Sequence, residues 1–398
     1  MAYQPTTNFR DRNGVDLGKK LVSKDYLLEV YGSILESLGN SGLTVTPELW
    51  VWGSNNSGQL GTKDNVNRLT PVTTFAGGTN WKQVSTQAAI KTDGTLWVWG
   101  DGYYGRLGNN RNDPGVNTPV TTFAGGTNWK QVACGVECMY AIKTDGTLWV
   151  WGNNGNGRLG TNDTTQRLTP VTTFAGGTNW KYLSPNSPKA IKTDGTLWVW
   201  GEGSDGQLGT NDNTQRNTPA TTFAGGTNWK QVSGKAGIKT DGTLWIWGTN
   251  FRTALGINNS NTNIIRSTPV TTFAGGTNWK SLDNQAYTTW AIKTDGTLWC
   301  WGGNNVDFQL VYSALAINSS VDSVATPVTT FAGGTNWKQV SNQAAIKTDG
   351  TLWVWGSSGS GGINNATGYI STPVTTFAGG NDWKQISNRT AIKSIDYI

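Results

Sequence analysis

The chain has 398 residues, of which 53 are glycine, 22 are tryptophan and 14% carry a charge. So many aromatic side chains with so few charges exclude an intrinsically disordered chain. Histidine is absent, which removes the commonest general base and metal ligand, and the net charge of +6 mildly favours anionic partners without marking a nucleic-acid-binding protein.

Residues 1–45 differ from the rest of the chain and are predicted to form an arm followed by a short amphipathic helix. The first 20 residues are polar, without the apolar stretch of a secretory signal. Residues 24–38 follow a capping Ser23, precede a terminating Gly39 and have apolar side chains at helical spacing. These apolar positions are Leu27, Tyr31, Ile34 and Leu38. The segment either folds back on the rest of the protein or docks it to a larger particle.

Residues 46–398 are built from a repeated unit. Seven Leu-Trp-(Val/Ile/Cys)-Trp-Gly motifs alternate with seven copies of FAGGTNWK, the last written FAGGNDWK, which recur every 46 to 58 residues. Each unit reads as four short strands, typified by TLWVWG, TPVTTF, WKQVS and AAIKT, and the Asp-Gly of TDGT is a strong hairpin signal. Four strands per unit, seven times over, predict an all-β, seven-bladed β-propeller.

The two ends of the repeat array are each missing one strand. The first copy, ELWVWG at residues 48–53, has no AIKT strand before it, and the last AIK, at residues 391–393, has no TLWVWG strand after it. We therefore expect these N- and C-terminal strands to pair in one sheet and close the ring. The domain assignment is an arm and helix over residues 1–45 and a closed propeller over residues 46–398.

The tryptophans and lysines recur with the repeat. LWVW is apolar on both strand faces, as expected for a blade packed on both sides, and 21 of the 22 tryptophans follow the pattern. Packing between blades is the preferred interpretation of these side chains, and sugar stacking is the alternative. The lysines of NWK and AIK form two predicted rings, interpreted as solvated strand-edge charges or, alternatively, as a sevenfold anion-binding surface.

The sequence predicts no enzymatic activity, no metal and no cofactor. Without histidine, no Ser-His or Cys-His pair exists, and the repeated aspartates of TDGT are interpreted as turn formers. Cys134 and Cys138, in CGVEC, are either a redox or metal pair or, in the preferred interpretation, two small residues in an insertion. The longest apolar runs have four or five residues, so no membrane insertion is expected.

The phrase WVWGSNNSGQLGT, with GRLG at 105–108 and 157–160 and GQLG at 206–209, resembles the regulator of chromosome condensation (RCC1) repeat. Later units have TALG (253–256), FQLV (308–311) and SGGI (360–363) in its place. The resemblance implies a seven-bladed propeller. GQLG itself predicts a leucine that points inward between two turns that glycine permits. Some members exchange nucleotide on a small GTPase or bind nucleosomes, and no residue here matches those activities.

The first 35 residues, MAYQPTTNFRDRNGVDLGKKLVSKDYLLEVYGSIL, resemble the opening segment of tail-associated structural proteins of tailed bacteriophages. This resemblance implies a virion protein, assembled in the host cytoplasm, whose residues 1–45 bind other virion proteins.

The repeats differ most in a few segments that carry extra aromatic residues. These are the long connections 248–269 and 302–327, the link DNQAYTTW and the segment GDGYYGRLG. The aromatic residues predicted to anchor a protein or glycan partner are Tyr103, Tyr104, Phe251, Tyr287, Trp290, Phe308 and Tyr312. The alternative is that they cover the rim of the propeller itself.

Three functions compete. The first is a structural protein of a bacteriophage tail, docked by its N-terminal arm and presenting the propeller for host attachment. The second is a soluble glycan-binding propeller. The third is an RCC1-type protein-interaction or exchange-factor module. A nucleic-acid partner is not expected.

Overall fold

A computed structural model describes residues 45–285, 287–304, 314–357, 362–363 and 369–396. In these residues 28 strands form seven four-stranded sheets. The predicted arm and helix, including Leu27, Tyr31, Ile34 and Leu38, lie outside the described residues. The fold is the predicted all-β, seven-bladed propeller, and residues Thr46–Ile395 form one compact unit.

From the inner to the outer edge, the four strands of each blade come from the WKQVS, AIK, LWVWG and TPVTTF motifs. The inner strands, from the WKQVS motif, are β3 (Trp81–Ser85), β7 (Trp129–Cys134), β11 (Trp180–Leu183), β15 (Trp229–Ser233), β19 (Trp279–Gln285), β23 (Trp337–Ser341) and β27 (Trp383–Ser387). The second strands are β4 (Ala88–Lys91), β8 (Cys138–Lys143), β12 (Lys189–Lys192), β16 (Ala236–Lys239), β20 (Thr288–Lys293), β24 (Ala344–Lys347) and β28 (Thr390–Asp396).

The other two strands of each blade come from TLWVWG and TPVTTF. The third strands are β1 (Val45–Gly53), β5 (Leu96–Gly100), β9 (Leu148–Gly152), β13 (Leu197–Gly201), β17 (Leu244–Thr249), β21 (Leu298–Gly303) and β25 (Leu352–Ser357). The outer strands are β2 (Arg68–Thr73), β6 (Val116–Thr121), β10 (Arg167–Thr172), β14 (Arg216–Thr221), β18 (Ile265–Thr271), β22 (Ser323–Thr329) and β26 (Tyr369–Thr375). Three short 3₁₀ turns, at Tyr103–Gly105, Gly155–Gly157 and Phe251–Thr253, follow third strands.

The ring closes through both ends of the repeat array. The sheet order β2-β1-β28-β27 makes blade 1 from the first two and the last two strands, and blades 2 to 7 follow in chain order. The prediction that the orphan strands pair is therefore confirmed. We found no helix in the described part of the chain that has the length and apolar character to cross a membrane.

The inner strands are linked from blade to blade by glutamine side chains. Gln83 of blade 2 accepts a hydrogen bond from the amide of Val132 in blade 3 (2.9 Å) and donates one to the Val132 carbonyl (3.1 Å). Other glutamines bond to the next inner strand through both of these groups or through one of them. These are Gln131, Gln231, Gln339 and Gln385. Each side chain therefore satisfies backbone groups that would otherwise be unpaired at the inner edge of a sheet.

The hydrophobic core is divided into clusters between adjacent blades. Trp129 of blade 3, for example, packs with Ile90, Leu96 and Val98 of blade 2. The inner-strand tryptophans and the second tryptophan of every LWVWG motif are at most 3% exposed. This burial confirms that these tryptophans pack between blades. Their indole rings fill the layers between adjacent blades and take the place of one central core.

The GQLG leucine is buried between blades, as predicted from its place between two glycines. Leu60, Leu107, Leu159 and Leu208 are at most 3% exposed, as is Leu255 of TALG. In the sixth unit FQLV lies outside the described residues. Leu315 occupies the place of the GQLG leucine there, fully buried, with its amide bonded to Asn304 Oδ1 (3.1 Å) as that of Leu60 is to Asn55 Oδ1 (2.8 Å).

The TDGT turns have the geometry that their sequence demands. Asp93 Oδ1 accepts hydrogen bonds from the amide (2.9 Å) and the hydroxyl (2.7 Å) of Thr95, and Gly94 has a φ of +80°. These Thr95 bonds hold the pKa of Asp93 below its usual value. The same pair of bonds recurs at Asp145, Asp194, Asp241, Asp295 and Asp349. Shaping these turns is therefore the structural role of the six aspartates.

Candidate functional site

The propeller has two faces of different character. Because strands within a blade are antiparallel, the TDGT turns and the FAGGTNW connections lie at the same end of each blade. The amide of Thr92 bonds to the carbonyl of Asn80 (2.7 Å), and that of Trp129 to Gly94 (3.0 Å), which joins turns and connections. We call this end the hairpin face. The loop face is the opposite end, with the long connections from third to outer strands and the links from inner to second strands.

An aromatic pair on the loop face joins two blades. Phe251 follows β17 in blade 5, and Tyr287 lies between β19 and β20 in blade 6. Their ring centroids are 5.0 Å apart in an edge-to-face arrangement, and the residues are 39% and 44% exposed. The sequence predicted both residues as separate anchors. The fold brings them together at one point on the surface.

Basic side chains surround this aromatic pair. Lys235 Nζ lies 6.0 Å from the ring centroid of Tyr287, and the Arg252 guanidinium lies 5.8 Å from that of Phe251. Burial lowers the pKa of Lys235, while the charge of Asp205 acts in the opposite direction. We call Phe251, Tyr287, Lys235 and Arg252 the aromatic–cationic cluster.

A buried asparagine holds Phe251 in place. The Asn250 side chain accepts a hydrogen bond from the amide of Leu255 (3.1 Å) and donates to the carbonyls of Asn259 and Asn261 (2.9 Å each). The chain then turns sharply, with Arg252 at a φ of +53°, a conformation that costs an L-residue about 1–2 kcal/mol. The turn is rigid, because the buried Asn250 is bonded to three backbone groups.

The other predicted anchors are placed differently. Tyr103 (52% exposed) and Tyr104 (43% exposed) are accessible in the loop of blade 2. Trp290 is only 2% exposed and packs 6.4 Å from Trp355, between blades 6 and 7. Its selection as a surface anchor does not fit this burial, because Trp290 lies within β20, where neighbouring blades cover both faces. Phe308 and Tyr312 lie outside the described residues.

A buried carboxyl group links three blades beneath the loop face. Asp283 of β19 stands where several other inner strands have serine. It accepts hydrogen bonds from Ser233 Oγ of blade 5 (2.9 Å), from Gln285 Nε2 of its own strand (3.0 Å) and from the Asn342 amide of blade 7. Burial raises the pKa of this carboxyl, and the three bonds oppose that shift. The arrangement fixes blades 5 to 7 under the aromatic–cationic cluster.

The hairpin face contains lysines held between tryptophan rings. Lys143 Nζ lies 4.8 Å from the ring centroid of Trp129 and 4.2 Å from that of Trp149. The equivalent lysines of the other blades are Lys91, Lys192, Lys239, Lys293, Lys347 and Lys393. The AIK lysines are therefore not solvated strand-edge charges. They cover the indole faces that the glycan-binding interpretation requires to be open.

The cysteines lie in the core. Cys134, Cys138 and Cys300 are buried and free, and burial raises the pKa of the Cys138 thiol to about 11. Cys138 Sγ lies 3.0 Å from the Tyr140 hydroxyl. Among the described residues no group of three or more Cys, Asp or Glu side chains is placed to hold a metal ion. The cysteines of CGVEC are packed, as the preferred interpretation proposed.

Exposed phenylalanines on the hairpin face were not predicted from the sequence. The phenylalanine of every FAGGTNWK motif is 56–68% exposed. These residues are Phe75, Phe123, Phe174, Phe223, Phe273, Phe331 and Phe377. Each lies just after the end of an outer strand, where the chain enters the connection to the next inner strand.

Comparison with known proteins agrees with this geometry. The model of the regulator of chromosome condensation (RCC1) repeat matches residues 48–86, 93–142, 145–181 and 194–234, and a second RCC1-repeat model matches residues 129–158. Four segments between residues 48 and 234 therefore match the RCC1 repeat. A comparison with curated proteins found no match.

Solved structures with the same fold include two of one yeast protein, RCC1 (Prp20). Prp20p from Saccharomyces cerevisiae, studied for its binding to Gsp1p and histones, is 15% identical, with a TM-score of 0.71 over 89% of this chain and 93% of its own. Yeast RCC1 (Prp20) bound to Kap60 is 16% identical, with a TM-score of 0.70 over 91% and 92%. Human WBSCR16 is 17% identical, with a TM-score of 0.69 over 88% and 100%. At such identities the likeness shows the fold.

Proposed function

We propose that this chain is an RCC1-type protein-interaction module without enzymatic activity, and that its partner binds the aromatic–cationic cluster of the loop face. The observation that carries the proposal is the contact between Phe251 and Tyr287, which come from different blades and are both partly exposed. Tyrosine and arginine are enriched among residues that dominate binding energy at protein interfaces. Structural neighbours that bind Gsp1p, histones and Kap60 support a protein partner.

The rigid surroundings of the cluster also favour binding. The Asn250 bonds hold the loop of Phe251, and Asp283 links the blades beneath it. A preformed surface loses little conformational entropy when a partner binds. The basic side chains Lys235 and Arg252 add charge complementarity toward a partner with an acidic surface patch.

Direct binding to the partners of the structural neighbours tests the proposal. The full chain would be titrated against immobilised Gsp1p and against histones, with a Phe251→Ala/Tyr287→Ala variant and a Phe123→Ala/Phe174→Ala control on the hairpin face. We expect at least one of these proteins to bind. The loop-face variant should weaken binding about 30-fold, as the loss of a residue worth about 2 kcal/mol implies, and the control should bind as wild type. Binding to neither protein, or equal binding by the loop-face variant, would overturn the proposal.

The comparisons favour this RCC1-type interpretation over the virion structural protein. Docking by residues 1–45 and a location in the virion stay predictions, because those residues lie outside the described part. Deletion of residues 1–40 tests them: if they are correct, the truncated propeller folds but is not incorporated into particles.

A further inference from the structure

The two faces of the propeller have diverged to different extents within this one chain. On the loop face, the links from inner to second strands read STQA, SPNSPK and SGK in blades 2, 4 and 5, and the long connections differ in length and sequence. On the hairpin face, FAGGTNWK is unchanged in six of seven copies, and its phenylalanine and lysine occur in all seven. Both faces are present in the same seven units, so repetition alone does not explain the difference.

Packing accounts for part of the motif. The Trp81 indole nitrogen donates to the Gly77 carbonyl (3.2 Å), and the equivalent bond forms in the other six blades. Gly77 and Gly78 have φ values of +53° and +80°, which favour glycine. The buried tryptophan and the glycines are thus required by the turn itself.

Burial does not account for the phenylalanine or the lysine, although Lys63 Nζ lies 4.6 Å from the ring centroid of Phe75. The seven phenylalanines are 56–68% exposed, although apolar residues of this size are usually covered. The lysine that follows each motif tryptophan is exposed in every blade. These lysines are Lys82, Lys130, Lys181, Lys230, Lys280, Lys338 and Lys384. Among the described residues, none of them has a carboxylate within salt-bridge distance.

The hairpin face is basic as well as partly apolar. The NWK and AIK motifs place fourteen lysines there, against the six aspartates of the TDGT turns, Glu48 at the start of the first LWVWG strand and Asp382 of the last motif. Each connection runs from an exposed phenylalanine at an outer strand to an exposed lysine at an inner strand. Aromatic groups thus lie toward the perimeter and positive charges toward the centre, seven times around the ring.

We propose that the hairpin face adsorbs to the surface of an anionic lipid bilayer. A folded protein without sevenfold symmetry would contact only an arc of this face, which leaves the remaining phenylalanines and lysines without a role. A bilayer is laterally uniform and contacts all seven units at once, and weak equivalent contacts then add through avidity. Aromatic side chains suit the headgroup–acyl boundary, and lysines are attracted by anionic headgroups.

Vesicle flotation tests this surface with the full chain. The vesicles would be phosphatidylcholine alone or phosphatidylcholine with about 30% phosphatidylglycerol, and binding would be measured with and without about 0.5 M salt, which screens exposed charges. We expect the chain to float with anionic vesicles at low salt only. Recovery in the soluble fraction with both vesicle types would overturn the proposal and is the outcome expected if an acidic protein occupies this face.

Two variants locate the binding on the hairpin face. Phe123→Ser/Phe174→Ser/Phe223→Ser and Lys130→Gln/Lys181→Gln/Lys230→Gln each remove three side chains from adjacent blades. Each should weaken binding to anionic vesicles at least tenfold, whereas the matching Phe→Leu and Lys→Arg triples should retain it. A control, Val66→Ser/Val136→Ser/Val321→Ser, removes exposed apolar groups from loops and links outside the motif and should bind as wild type.

Circular dichroism of each variant would verify the fold. We expect the fold to tolerate these substitutions, because the replaced side chains are exposed. Equal binding by the serine or glutamine triples and wild type would refute the assignment of the surface. The test is independent of the proposed protein partner, because the Phe251→Ala/Tyr287→Ala variant alters the loop face alone.

Discussion

The backbone amide of Trp52 donates a hydrogen bond to the carbonyl oxygen of Arg389, with 3.1 Å between the two atoms. These residues are separated by most of the chain, and their bond lies in the sheet that contains β1 and β28. Leu49 and Ile392, from the same two strands, are buried in one cluster with Trp81 and Trp99 of blade 2. Strand β28 is thus part of the same hydrophobic core as β1 and blade 2.

Removal of the closing strand is expected to destabilise the whole ring. Deletion of residues 390–398 leaves β1 without its inner neighbour and exposes the cluster around Trp81 and Trp99. We expect the thermal midpoint, followed by circular dichroism, to fall by more than 10 °C, since each kcal/mol shifts the midpoint of a large domain by about 2–4 °C. Deletion of residues 1–40, which spares β1, is the control. An unchanged midpoint after the C-terminal deletion would contradict the closure.

The two lysine types of the hairpin face should differ in their effect on stability. Lys143→Met removes a cation that lies over the rings of Trp129 and Trp149, so we expect a loss of about 0.5–2 kcal/mol in urea unfolding. Lys130→Met, in the exposed position of the same blade, should change stability by less than about 0.5 kcal/mol. Equal effects of the two substitutions would argue against the cation–π contact.

Two glycines with positive φ provide a matched test of close packing. A Cβ atom at Gly94 would lie 2.0 Å from the carbonyl oxygen of Thr127, whereas one at Gly125 has nothing within 4 Å. Gly125→Ala should cost about 1–2 kcal/mol for its backbone conformation alone. Gly94→Ala must in addition move the FAGGTNW connection, and we expect a larger loss of unfolding free energy. A reversed order would disprove the contact between turn and connection.

The buried amine of Lys189 should make stability depend on pH. Burial, and secondarily the charge of Lys235, lowers the pKa of Lys189 to about 7, from about 10.4 in an unfolded chain. Between these values the unfolded chain binds more protons, so the Lys189 contribution to stability rises with pH.

Lys189→Met should therefore raise the unfolding free energy at pH 7, and its advantage over wild type should shrink as the pH approaches 10.4. Urea unfolding of both proteins across this range measures the difference, with Lys192→Met as the control from the same strand. An advantage that stays constant with pH would show that the amine is not titrating in this window.

Much of the fold follows from local patterns. The TDGT turn is specified by adjacent residues, since Asp93 and Thr95 make their bonds within the turn. The doubly apolar LWVW strand indicates a blade covered on both sides. The missing strands at the two ends then require β1 and β28 to pair, so blade number and ring closure follow from the sequence alone.

The candidate sites depend on contacts between blades, which no local pattern records. Phe251 and Tyr287 are 36 positions apart and meet only because blades 5 and 6 are neighbours. Trp290 is an extra aromatic residue outside the repeat pattern, which suggested a binding surface. The adjoining blade nevertheless buries it. The sequence by itself determined which strands form and how the ring closes, because turns and strands are encoded over a few residues. Which side chains reach solvent was decided by the tertiary structure, since burial depends on the blade that packs against each face.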